Sequence, residues 1–168
     1  MALVNSYFQR GTPVANNDWT GGVYMAGNMA HYRASREASV LQYAEHWGDA
    51  HKWNPTGYRG CNGDLGCPDN IAAGMGYTEI YEATSKRNVT MVAGIVRAIE
   101  TAITHNACNI KTNSSQAKDS DHCWWWLDAL FMALPTYAKV GNLIGDTNST
   151  LTSGRIWDAA RANYNITA

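Results

Sequence analysis

Charge is scarce in this chain. Asp, Glu, Lys and Arg make up 16% of its 168 residues, and 13 bases against 14 acids leave a formal charge of −1. A near-neutral surface has no field with which to gather a polyanion, so neither nucleic acid nor an anionic membrane is an expected partner. There is no run of 18 apolar residues, and no transmembrane helix is expected. The opening Met-Ala-Leu-Val-Asn-Ser lacks the charged and long apolar regions of a signal peptide, which suggests that the true N-terminus is missing or replaced. No CxxC or HxxxH spacing occurs, so the expectation is no metal and no cofactor. No segment alternates apolar and polar residues with β-branched enrichment, and no sheet is predicted.

Aromatic residues are plentiful: seven Trp and nine Tyr. Their rings join an apolar face to a polar edge, as sugars join an apolar ring face to a hydroxyl rim, and the composition fits carbohydrate contact. Four Asn-x-Ser/Thr sequons, at Asn88, Asn113, Asn148 and Asn165, lean toward a secreted eukaryotic protein. Cys61 and Cys67 bracket a turn-rich loop, and Cys108 and Cys123 a polar linker. Both local pairs are expected to lie within disulfide reach, although four cysteines allow three connectivities.

Apolar residues recur at helical spacing near 19–33, 36–53, 69–84, 88–105 and 124–140, and a sixth helix, short of strong apolar positions, is expected from about Ser153. The fourth has the clearest stripe, Val92, Ile95, Val96, Ile99 and Ile103. In the fifth, Leu127, Leu130, Phe131 and Leu134 mark the expected buried face, Pro135 should kink the helix, and Gly141 and Gly145 should end it. Gly21, Gly22, Gly74 and Gly76 near helix starts point to close approach of a neighbouring helix or a ligand. Residues 1–168 thus read as a single all-α domain of three helical hairpins.

Polar and aromatic groups cluster where the odd-numbered helices begin: Asn17-Asp18-Trp19, Pro68-Asp69-Asn70, and the run from Asp119 to Met132. Hairpins stacked around an axis would bring these three starts to one end. Asp18 and Asp119 fit N-caps, which accept the unpaired N–H groups of a first turn. Asp69 fits either a cap or a site. Asp128 lies between Leu127 and Leu130, where a carboxylate is costly unless it is paired or faces a polar cavity. A half-buried carboxyl near a second carboxylate holds its proton toward neutrality, as a general acid must.

The segment Cys123-Trp-Trp-Trp-Leu-Asp128-Ala-Leu-Phe-Met-Ala-Leu-Pro135 resembles the Trp-x-Asp-Ala-Leu-Phe-Met-Ala-x-Pro signature of glycoside hydrolase families 105 and 88, the unsaturated rhamnogalacturonyl and glucuronyl hydrolases. Trp19-Thr-Gly-Gly-Val-Tyr-Met-Ala and Pro68-Asp-Asn-Ile-Ala-Ala-Gly-Met-Gly-Tyr resemble two further segments of those families, in the same order. The resemblance implies an (α/α)6 barrel of twelve helices, of which this chain would supply about six as the N-terminal half. It implies Asp69 and Asp128 as the active-site carboxylates, with Trp19, Trp124, Trp125, Asn70 and His122 as candidate contacts to an oligosaccharide substrate. It also implies hydration of the vinyl ether in a Δ4,5-unsaturated uronic acid, with Asp128 as acid and base. The competing readings are a truncated remnant that binds carbohydrate without turnover and a different α/α-barrel enzyme such as an epimerase.

Overall fold

A computed structural model describes residues 6, 16–55, 66–84, 88–104, 127–144 and 151–167. From Trp19 onward, the described residues form the helical segments α1 Trp19–Ser35, α2 Ala38–Ala50, α3 Pro68–Ile71, α4 Ala73–Ala83, α5 Thr90–Thr104, α6 Asp128–Ile144 and α7 Ser153–Thr167. Among the described residues there is no strand, and no helix is long and apolar enough to cross a membrane. Only Ala72 separates α3 from α4, and it keeps right-handed helical angles (φ −53°, ψ −33°). The two therefore act as one arm. The six arms pair as the hairpins α1–α2, α3/α4–α5 and α6–α7, an all-helical arrangement consistent with part of an (α/α) barrel.

The bundle is built around α4. It packs against α1, α2, α5 and α6, and every residue from Asn70 to Thr78 is buried. A helix enclosed on all sides needs small residues where its neighbours come closest. A Cβ at Gly76 would stand 2.8 Å from the Met25 Cβ of α1, and one at Gly74 would stand 2.6 Å from Ile95 of α5. Helix–helix contact, and no ligand, explains these two glycines. The α5 stripe is as expected, with Val92, Ile95 and Ile99 buried and Val96 and Ile103 packed partly buried against the core.

Two expectations for α6 are corrected. Its buried face is Ala129, Met132, Ala133, Thr136, Tyr137 and Val140, whereas Leu127 is 69% exposed and Phe131 56% exposed. Close approach decides the phase: the Thr136 hydroxyl donates to the Ile71 carbonyl of α3 at 3.3 Å, and small residues on that face let the backbones come this near. Gly141 also does not end the helix, which runs on to Ile144. It is buried against α7, and a Cβ there would meet the Trp157 Nε1 at 3.3 Å.

The second helix stops three residues earlier than its apolar pattern predicts. The Trp53 N–H donates to the Gly48 carbonyl (2.9 Å) and the Lys52 N–H to the Asp49 carbonyl (3.0 Å), which is the bonding of a Schellman end. Lys52 and Trp53 take left-handed φ values of 54° and 55°, where glycine is usual. The turn folds the Trp53 indole back toward α2, its Nε1 donating to Asp49 Oδ1 at 2.9 Å.

Cys67 is disulfide-bonded. Cys61, Cys108 and Cys123 lie outside the described residues, as do the 106–121 linker and the sequons at Asn113 and Asn148.

Candidate active site

Each arm contributes its site residue for a local reason. Asp18 is the N-cap of α1, and its Oδ1 accepts from the Thr20 N–H at 2.9 Å, the Thr20 hydroxyl at 2.5 Å and the Gly21 N–H at 3.4 Å. Trp19, next in sequence, opens the helix and is 42% exposed, a flat ring available to stack on a sugar. Asp69 is not a cap. Cys67 occupies that position, Pro68 follows at the first helical residue, and Asp69 sits in the first turn of α3, where the helix dipole favours a negative group. Asp128 is the first residue of α6 and is exposed, not half-buried as its flanking leucines imply.

These three carboxylates come from helix starts that share one end of the bundle. Burial pushes the Asp69 carboxyl above the usual carboxylate range, and the charges of Asp128 and then Asp18 push it further in the same direction. The mutual influence requires the three helix starts to be near neighbours. Asp18 belongs to this set as well as capping α1, which its sequence reading as a simple cap did not anticipate.

Behind Asp18 lies a buried polar core that sets the entry angle of α1. Asn17 is 4% exposed. Its Nδ2 donates to the Asn54 carbonyl at 2.5 Å and to the Tyr77 hydroxyl at 3.4 Å, and that hydroxyl donates to the same carbonyl at 3.2 Å. Burial pushes the Tyr77 hydroxyl up, with the Asn17 bond opposing it, so Tyr77 stays a neutral donor. The Tyr77 ring packs between Trp47 and Trp53, at 4.7 and 5.5 Å between centroids. The Trp47 Nε1 also donates to the Asn16 carbonyl at 3.3 Å. Asn17 and Tyr77 thus tie the start of α1 to the end of α2 and to α4. The hint in the sequence was Asn-Asn before a helix, which says nothing of a partner 60 residues away.

Of the other candidate contacts, Asn70 is fully buried, which suits support of the α3 turn better than direct contact with a sugar. Trp124, Trp125 and His122 lie outside the described residues. The described candidates are therefore Asp18, Trp19, Asp69 and Asp128: an exposed aromatic ring at the start of α1 and carboxylates of unequal burial. Such a set can bind a sugar ring and move a proton.

A family model described as Glycosyl Hydrolase Family 88 matches residues 4–158, and the chain belongs to that family. No curated protein matches it. Family membership makes carbohydrate the substrate class and glycosidic hydrolysis the reaction class.

Proposed function

We propose that this member of glycosyl hydrolase family 88 acts on oligosaccharides ending in a Δ4,5-unsaturated uronic acid, by hydrating the vinyl ether of that sugar. The observation that carries the reading is the Asp69 carboxyl, raised first by burial and then by the charges of Asp128 and Asp18. A carboxyl so placed holds its proton to higher pH than an ordinary aspartate. Vinyl-ether hydration needs such a proton and a place to return it.

In this reading Asp128, exposed at the start of α6, meets the arriving ring. It delivers a proton to C4 and leaves an oxocarbenium-like centre at C5. As a carboxylate it then takes a proton from the water that adds to C5. The resulting hemiketal opens and the remaining sugar leaves. Asp69 hydrogen-bonds the substrate and holds a proton within the site. Trp19 stacks on a ring, and Trp124, Trp125 and His122 are further candidate contacts. The sequons and the disulfide-bonded Cys67 support a secreted protein.

The test is the ultraviolet absorbance of the unsaturated bond, followed on unsaturated disaccharides with the whole protein. Asp128→Asn keeps the shape but cannot return a proton, and its turnover should fall by at least about 10²–10⁴-fold with much less change in binding. Near-normal turnover by Asp128→Asn alongside loss in Asp69→Asn would exchange the two roles. Retention by both would move the site elsewhere. Binding of the disaccharide by the native protein without turnover would instead support the non-catalytic remnant.

A further inference from the structure

We infer that Asn88 is an attachment site for an N-linked glycan on the folded surface, at the start of α5 and away from the carboxylate end. Asn88-Val89-Thr90 is the one sequon whose three residues are all described with their side chains, and all three are exposed, Val89 to 67%. Asn165 falls within the range of α7, but its side chain lies outside those described.

The geometry at Asn88 suits a glycan for a specific reason. Asn88 caps the first turn of α5 with its side-chain oxygen: Oδ1 accepts from the Thr90 N–H at 3.1 Å, while its carbonyl accepts from the Met91 N–H at 3.0 Å. Glycan transfer uses the other atom of the amide. The Nδ2–C1 bond forms, the bond from C1 to the diphosphate of a lipid-linked oligosaccharide donor breaks, Nδ2 gives up one proton, and the lipid diphosphate leaves. Oδ1 remains a carbonyl oxygen throughout, so the cap that starts α5 survives the modification. The same amide serves the fold with its oxygen and the glycan with its nitrogen.

This separation makes the inference testable without disturbing the fold. The full chain is made in a eukaryotic cell behind a cleavable leader and digested with trypsin, which releases residues 88–97, a peptide bounded by Arg87 and Arg97 and containing one sequon. Enzymatic glycan removal in heavy-oxygen water should leave a labelled aspartate at position 88. The peptide can be read from secreted and cell-retained chain alike, so failure to leave the cell does not hide the result. Thr90→Ala should abolish the label and Thr90→Ser should retain it. In unglycosylated chain made in bacteria, Thr90→Ala should leave the melting temperature unchanged, because the cap bond uses the Thr90 backbone, whereas Asn88→Ala should lower it. An unmodified 88–97 peptide in the eukaryotic product, or a label that persists in Thr90→Ala, would overturn the inference. Neither result bears on the carboxylate site, which is tested by turnover.

Discussion

Ten positions along one nearly continuous arm separate Asp69 from Glu79, a rise of roughly 15 Å, and their surroundings differ in kind. At the Glu79 end the carboxylates meet bases. Arg33 of α1 bonds Glu79 directly, and the Lys139 Nζ of α6 reaches Glu79 at 2.7 Å and Glu82 at 2.8 Å. At the Asp69 end the charges that act on the carboxyl are those of Asp128 and Asp18, and they raise its proton affinity. The same three arms, α1, α3/α4 and α6, supply both ends. A carboxylate neutralised by neighbouring bases fixes how helices dock. A half-buried carboxylate facing its own kind opposes folding at neutral pH and stores a proton. That contrast supports the proposal that the carboxylate end is the site and the Glu79 end scaffold.

The strongest way to break this contrast is at Glu79, whose side chain is only 15% exposed. Glu79→Gln removes the charge that holds α1 and α6 to α4. It should cost about 1.5–3 kcal/mol of stability, read by urea unfolding, with turnover of the surviving folded protein unchanged. Glu79→Gln as stable as the native chain would show that the ion network does not dock the helices.

The converse substitution should have the opposite sign. Asp69 binds its proton more tightly in the folded chain than in the unfolded one. Its favourable contribution is full below the unfolded carboxylate pKa and disappears as pH rises through the folded one. At neutral pH, Asp69→Asn should therefore raise the melting temperature while abolishing turnover, and the gain should vanish in acid. Lys139 is also raised: burial opposes its charge, but the hydrogen bonds it donates to Glu79 and Glu82, with their charges, outweigh it. Its contribution persists through neutrality and is lost only as pH climbs through the lysine range. At pH 7 the two ends thus pull stability in opposite directions.

A smaller effect sharpens the scaffold side. Glu82 is 48% exposed, so solvent screens its bond to Lys139. Glu82→Gln should cost no more than about 1 kcal/mol, and that cost should shrink in salt. A loss equal to that of Glu79→Gln would mean the network is shared evenly, not centred on Glu79.

Much of this was legible in the sequence, and the parts that were not share a cause. Local period located five of the six arms, the sixth being short of strong apolar positions, and the Asp-Trp, Pro-Asp and Trp-x-Asp starts marked the three helix ends that converge. Phase and partnership were harder. Leu127 and Phe131 follow helical spacing, yet the close approach of Thr136 to Ile71 turns Ala129 and Ala133 inward in their place. Gly141 resembles a helix stop, but it lies inside α6 and its close neighbour is Trp157 on the next helix. The Arg33–Glu79 and Lys139–Glu82 bonds join residues 46 and 57 positions apart. The burial difference between Asp69 and Asp128 likewise follows from which helices enclose each start, and no window of sequence contains that information.

Burial, with the charges of Asp128 and Asp18 nearby, raises the proton affinity of Asp69, and carbon-13 NMR of its carboxyl across a pH titration measures that directly. The midpoint should lie above the ordinary aspartate value of about 3.9. It should fall in Asp128→Asn and fall less in Asp18→Asn, a variant in which asparagine preserves the cap on α1. A midpoint in the ordinary range, or one that neither substitution moves, would contradict this account of Asp69.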